Sequence, residues 1–273
     1  MKRLLCALLA LTLALSLAAC RQEPPVPPDQ PLPPDPPPET EGTYTLTEKT
    51  GGKETKGEDG QVLSRYSYSL YFMEPSADAG ERTLEKVGVF NAKMEELRGL
   101  LEQDGESLAE NARELAEAGY WETVLTNETT VAVSVMGDIL SCKVDGYSYS
   151  GGAHPNTWSS CYIFDWAQGA YINPIEVADN PEQFRATVTD QLLDQIMGLD
   201  PEVREGYFTG YEETAAAWND YCVVFRESGL EITFSAYELG PYAMGSQVFT
   251  LSYEDLGDVL GETGRARLGL EAA

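Results

Sequence analysis

Ten prolines between Pro24 and Pro38 decide which part of this chain can fold. Proline fixes φ and removes the backbone donor, so a run this dense adopts extended polyproline II geometry and forms no core. At roughly 3.1 Å per residue, residues 20–42 are predicted to form a stiff tether. A proline-rich ligand for a partner domain is the alternative. The folded part is therefore expected to begin near Thr43.

The N-terminus has the features of a secretory signal. Met1–Arg3 carries two positive charges and precedes an apolar run from Leu4 to Ala18, which is shorter than the roughly 20 residues of a membrane-spanning helix. The run ends in "LAAC", which resembles a bacterial lipobox. That resemblance implies cleavage of residues 1–19 as a signal peptide, lipidation of Cys20 with palmitate, and a lipid anchor at the extracytoplasmic face of the cell membrane. A cleaved signal that releases a soluble protein is the alternative.

The charge of the chain restricts its partners. Lys and Arg number 18 against 45 Asp and Glu, which gives a formal net charge of −27. Such a field repels nucleic acid and attracts cationic proteins, although acidity can also serve solubility alone. We therefore expect no nucleic-acid partner.

Hydrophobic periodicity predicts an α+β fold with a mostly antiparallel sheet and the helices packed on one side. Two strands flank an exposed loop at 51–60, and a helix with a candidate break at Asp104-Gly105 follows from about Leu84 to Ala118. A second helix is predicted from the capping residue Asn180 to Gly198. The other predicted strands are 121–125, 130–136, 139–150, 158–164, 221–225, 230–234 and 248–253.

Three segments resemble a known family: "YSYSGGAHPNT", "YIFDWAQGAYI" and "GLEITFSAYELGPYAMGSQVFTLSYEDL". They are similar to the extracytoplasmic domain of unknown function shared by RsiV-type anti-sigma factors and PdaC-type peptidoglycan deacetylases. The segment around "VFNAKMEEL" resembles the companion region that precedes this domain. The resemblance implies an N-terminal PdaC-like segment at 43–138, an RsiV-like domain at 139–262 and a tail at 263–273.

This sequence departs from both family types. RsiV-type proteins have a cytoplasmic sigma-binding part, whereas the residues before Cys20 are predicted to form a signal. PdaC-type catalysis uses several metal-binding histidines, whereas this chain has one histidine, His154. We therefore expect a noncatalytic module on a lipid tether, with no catalytic residue, cofactor or metal.

His154 lies in a Gly-Gly turn and is predicted to be a turn residue with a share in a recognition surface. The alternatives are a catalytic base and a zinc ligand that would act with Cys142, Cys161 and Cys222. Cys142 and Cys161 are nearly equidistant from the turn, so we predict a cross-strand disulfide, with two free buried thiols as the alternative. Cys222 is predicted to be a buried small residue.

The loop "SAYELGPYAMG" completes the candidate binding surface, which comprises His154, Tyr237, Pro241 and Tyr242. Amphipathic aromatic residues on a proline-stiffened loop suit recognition at low entropic cost. The alternative is that both tyrosines pack down and close the end of the sheet.

The predicted function is a non-enzymatic binding or sensing lipoprotein of the cell envelope. Resemblance to RsiV implies lysozyme, or another cationic wall-active protein, as the partner. One alternative is a module that binds peptidoglycan through aromatic platforms. Another is a wall-modifying enzyme, for which the sequence contains no nucleophile-and-base pattern. The candidate platforms are Tyr147, Tyr149, Trp158 and Tyr242.

Overall fold

The computed structural model describes residues 43–271. The predicted signal peptide, Cys20 and the proline-rich tether lie outside the described residues. The strands are β1 (Tyr44–Lys56), β2 (Val62–Pro75), β3 (Leu125–Met136), β4 (Ile139–Tyr149), β5 (Asn156–Asp165), β6 (Ala170–Ile172), β7 (Cys222–Arg226), β8 (Gly229–Phe234) and β9 (Gln247–Leu251). The helices are α1 (Glu81–Glu117), α2 (Pro181–Met197), α3 (Pro201–Arg204), α4 (Tyr211–Ala216), α5 (Tyr253–Leu256) and α6 (Gly261–Arg267).

The first six strands form one sheet in chain order, β1 to β6. Neighbouring strands are antiparallel except β2 and β3, which are parallel because α1 carries the chain back across the sheet. The predicted loop at 51–60 is shorter than expected, since β1 continues through the two glycines to Lys56. The α+β class and the mostly antiparallel sheet are confirmed.

Helix α1 covers one face of the large sheet. Phe90 and Met94 are fully buried among β2, β3 and β4 side chains such as Leu70 and Val131. The predicted break at Asp104-Gly105 is wrong, because α1 is continuous to Glu117. Gly105 has a packing role there: a Cβ at this position would collide with the Tyr66 ring.

The other face of the large sheet packs against the three-stranded sheet β7-β8-β9 and the remaining helices. Ser134 and Ser141 lie on this face and hydrogen-bond the Phe225 backbone, with Ser134 Oγ donating to the carbonyl at 2.7 Å and Ser141 Oγ accepting from the amide at 3.0 Å. Helices therefore occur on both sides of the large sheet, which the prediction of a single helical side did not include. Shielding both faces lets the central strands be buried on each side.

Helix α2 matches the sequence pattern. Asn180 accepts a hydrogen bond from the Gln183 amide at 3.2 Å, and Pro181 is the first helical residue. Four side chains at helical spacing are fully buried: Phe184, Val188, Leu192 and Ile196. The periodicity therefore identified both the helix and its buried face.

Residues 43–271 hold both sheets within one compact unit. The β3–β4 hairpin crosses residue 138, so the sheet continues from the N-terminal segment into the C-terminal one. Residues 261–267 form α6, and Arg267 pairs with the buried carboxylate of Asp165. Within residues 43–271, no helix has the length and apolar character needed to cross a membrane.

Candidate functional site

Two loops from different sheets meet at one surface and bring three predicted site residues together. His154 lies in the β4–β5 turn, and Tyr237 and Tyr242 lie in the β8–β9 loop. The His154 ring stacks on Tyr242 with centroids 3.8 Å apart and planes at 15°. The ring centroids of Tyr237 and Tyr242 are 5.7 Å apart. We call His154, Tyr237 and Tyr242 the aromatic cluster.

Hydrogen bonds fix the orientation of the His154 ring. Its Nδ1 lies 2.9 Å from the Pro155 carbonyl, which can only accept, so Nδ1 carries a proton. In the neutral ring, Nε2 is then an acceptor for the Tyr237 hydroxyl at 3.3 Å. The ring is thus held by a neighbouring carbonyl and a tyrosine. Within the described residues, none of its hydrogen bonds involves a serine hydroxyl or a thiol.

Tyr237 has an unusual backbone. Its φ of 73° makes it the one residue other than glycine with a positive φ between Thr43 and Glu271. This conformation costs a side-chain-bearing residue roughly 1–2 kcal/mol. The Tyr237 side chain nevertheless remains 51% exposed. Strain that places an exposed aromatic ring is a feature of ligand-contact sites.

Buried anchors hold the β8–β9 loop. Leu239 is buried, and the Glu238 carboxylate accepts a hydrogen bond from the Ser235 amide. Partial burial raises the pKa of Glu238, and that hydrogen bond opposes the rise. Ser235 Oγ accepts from the Ser159 amide at 2.9 Å, which ties the loop to β5. Pro241, with φ −65°, precedes the short turn that carries Tyr242.

The predicted Cys142–Cys161 disulfide is wrong, and all three cysteines of the described residues are free thiols. Cys142 pairs with Tyr162, and Cys161 pairs with Lys143. Because side chains alternate along a strand, the two sulfurs lie on opposite faces of the sheet. Cys142 packs towards α1, whereas Cys161 packs towards the small sheet. Cys222 is fully buried, as predicted.

The same alternation separates Cys142 from the other members of the candidate zinc set. In addition, the His154 ring stacks on Tyr242 in the aromatic cluster. Within residues 43–271, no group of three or more His, Cys, Asp or Glu side chains is placed to hold a metal ion.

A cleft of about 320 Å³ lies between the second half of α1 and the large sheet. The Trp158 ring packs over Gly146 and the Tyr66 ring packs over Gly105, where a Cβ would collide with either ring. Polar groups complete the lining and include Asp104, Asn127 and Ser148.

This cleft was not predicted, because Tyr66 and Asp104 are far from Trp158 in the sequence. Of the proposed aromatic platforms, Tyr147 and Trp158 both line this cleft. Tyr149 donates to the Gly152 carbonyl at 2.9 Å within its own turn. Two of the four proposed platforms therefore lie at this cleft.

Comparisons with known proteins give a fold and a partial family match. The solved structure of a DUF3298 family member from Bacteroides fragilis has a TM-score of 0.58 at 14% identity, over 83% of this chain and 97% of that one. A DUF3298 family protein from Pseudomonas aeruginosa has a TM-score of 0.48 at 13% identity, over 82% and 97%. None of the curated proteins matches this chain. Residues 179–254, which carry α2, the small sheet and two rings of the aromatic cluster, match the family described as "Protein of unknown function (DUF3298)".

Proposed function

We propose that this protein is a non-enzymatic binding module of the bacterial cell envelope, and that it recognises a cationic wall-active protein such as lysozyme. The observation that carries the proposal is the aromatic cluster. Three rings from two loops are held in contact before any partner arrives, and one of them is half exposed at a strained backbone position. A partner binding such a surface pays little to order it.

Charge favours a cationic partner over an anionic one. The chain carries a net charge of −27, so long-range attraction speeds the approach of a basic protein. Aromatic contacts then supply short-range binding energy that salt does not screen. A partner that uses both should bind faster at low salt and dissociate more slowly when the rings are intact.

The lipobox resemblance supplies the location in this proposal. Lipidation of Cys20 would hold the folded unit at the extracytoplasmic membrane surface, and the prolines from Pro24 to Pro38 would space it from the lipid. The similarity to RsiV-type ectodomains agrees with such a receptor or inhibitor role.

Capture of a basic lysozyme tests the proposal. Residues 34–273 would be immobilised and exposed to lysozyme at about 10 mM and about 1 M salt, where the screening length falls from about 30 Å to about 3 Å. An acidic protein of matched charge serves as the immobilised control. The proposal predicts specific capture that is stronger at low salt. Equal capture by the acidic control would show that the binding is nonspecific charge attraction. No capture would rule out lysozyme as the partner.

The cleft beside Trp158 favours a second candidate, binding of peptidoglycan glycan. Aromatic faces with neighbouring carboxylate, amide and hydroxyl groups suit a sugar ring, and the cleft volume suits one or two rings. Retention on purified, protein-free peptidoglycan that is lost in Trp158→Ala would support this candidate. Lack of retention by the wild type would eliminate it.

A further inference from the structure

Cys161 and Cys222 bring two thiols together at the junction of the two sheets. Cys161 is on β5 of the large sheet, and Cys222 begins β7 of the small sheet. The Val223 amide donates to Cys161 Sγ at 3.0 Å, and the Cys161 thiol faces the Tyr221 carbonyl at 3.7 Å. The Cys161 sulfur therefore lies against the backbone on both sides of Cys222.

The environments of the two thiols differ. The hydrogen bond from Cys222 lowers the pKa of Cys161; burial opposes this, while the Val223 amide and the Lys143 ammonium lower it further. The same hydrogen bond and burial raise the pKa of Cys222. Cys161 is partly accessible, whereas Cys222 is fully buried.

Neighbouring charges keep Lys143 beside this pair. Lys143 is the cross-strand partner of Cys161. Its Nζ lies 3.5 Å from Glu231 Oε1 and 3.8 Å from Asp145 Oδ1. Glu231 is in turn paired with Arg226. The ammonium is thus fixed on the face of the sheet where Cys161 lies.

We propose that Cys161 and Cys222 are a dithiol pair that a small-molecule disulfide oxidises to a cross-link between β5 and β7. Cys161 is the attacking thiol because it is the accessible one and has hydrogen-bond donors around its sulfur. Cys222 is the resolving thiol because the Cys161 sulfur lies against the backbone of both its neighbours, Tyr221 and Val223. The pairing joins the two sheets and is independent of the aromatic cluster.

The chemistry proceeds by two exchanges. The Cys161 thiolate attacks one sulfur of the small disulfide, whose S–S bond breaks, so that a mixed disulfide forms on Cys161 and one small thiolate leaves. Cys222 then loses its proton, and its sulfur attacks the Cys161 sulfur of the mixed disulfide. The Cys161–Cys222 bond forms and the second small thiol is released. In total, two protein thiols are oxidised to one disulfide and one small disulfide is reduced to two thiols.

Oxidised glutathione is the probe that tests this inference. Residues 34–273 and three variants, Cys142→Ser, Cys161→Ser and Cys222→Ser, would be treated with it and analysed by mass spectrometry and peptide mapping. We expect the wild type and Cys142→Ser to lose two hydrogens and to yield a peptide that links Cys161 with Cys222. Cys222→Ser should stop at a glutathione adduct on Cys161, and Cys161→Ser should form no cross-link.

Thermal unfolding gives a second readout. A disulfide that closes a loop of roughly 60 residues should raise the midpoint of the wild type by about 10 °C, and a reducing agent should reverse the shift. A stable glutathione adduct on wild-type Cys161, a cross-link that includes Cys142, or no reaction in the folded wild type would overturn the inference. The Cys142→Ser result keeps the test valid even if the other two variants unfold.

Discussion

His154 and Tyr242 stack face to face with their ring centroids 3.8 Å apart, although one belongs to the large sheet and the other to a loop of the small sheet. A stacked pair of this kind contributes about 0.5–1.5 kcal/mol beyond the area it buries. The contact therefore fixes the position of the β8–β9 loop relative to the β4–β5 turn. It also makes the recognition surface depend on both sheets.

Two substitutions of Tyr237 should differ in stability but weaken binding alike. Replacing it with Gly or with Ala removes the same ring, but only Gly adopts a φ of 73° without strain. We expect Tyr237→Gly to be more stable than Tyr237→Ala by about 1 kcal/mol in urea unfolding. Both variants should bind lysozyme less tightly than the wild type. Equal stability of the two variants would show that the backbone at this position is unstrained.

Glu238 should make stability depend on pH. Because burial raises its pKa above the ordinary 4.5, the folded state holds the proton more tightly than the unfolded state does. The wild type should therefore lose stability, relative to Glu238→Gln, as pH rises from 4.5 through the folded pKa. Midpoints of thermal unfolding between pH 4 and about pH 7 would measure this difference. Parallel curves for the two proteins would contradict the raised pKa.

Two glycines of α1 should respond oppositely to alanine. Gly105→Ala places a Cβ against the Tyr66 ring and should destabilise the protein by about 1–3 kcal/mol. Gly99 has open space around it in the same helix, so Gly99→Ala should stabilise the protein by up to about 1 kcal/mol. Chemical unfolding of both variants checks the pair. A stabilising Gly105→Ala would mean that Tyr66 moves aside freely.

Replacing only one partner of the Arg267–Asp165 pair should strongly destabilise the protein. Asp165 is 0% exposed, and Arg267 also donates to the Glu176 and Val177 carbonyls at 2.6 and 3.0 Å. Arg267→Met leaves a buried carboxylate without its cation, so we expect a loss of about 3–5 kcal/mol.

The double variant Arg267→Met with Asp165→Asn separates charge from packing. Removal of the charge should recover part of the lost stability, as measured by urea unfolding. No recovery would assign the loss to the Arg267 hydrogen bonds and side-chain packing alone.

Local patterns in the sequence predicted most strands and α2, because alternation and helical spacing report directly on burial. These patterns gave the wrong answer where the result depended on the exact pairing register of two strands. Cys142 and Cys161 are nearly equidistant from the turn, but the pairing of Cys142 with Tyr162 places the two sulfurs on opposite faces. Symmetry about a turn therefore does not establish which side chains face each other.

The sequence grouped His154, Tyr237 and Tyr242 in one candidate binding surface but did not predict how their rings meet. The ring contacts depend on the placement of both sheets. The cleft between Tyr66 and Trp158 was not predicted, because the residues that line it are far apart in the sequence. Gly105 and Gly146 lie beneath aromatic rings, and their packing role can be identified only when the positions of those rings are known.

The aromatic cluster is proposed to be a binding surface for a cationic protein. Its most direct test is a calorimetric titration of a basic lysozyme into the wild type, Tyr242→Ala and Tyr120→Ala at low salt. Tyr120 is 76% exposed just beyond α1 and serves as the control for loss of a surface aromatic. We expect saturable binding by the wild type and Tyr120→Ala, and at least about tenfold weaker binding by Tyr242→Ala. Equal binding by all three proteins, or none by the wild type, would contradict it.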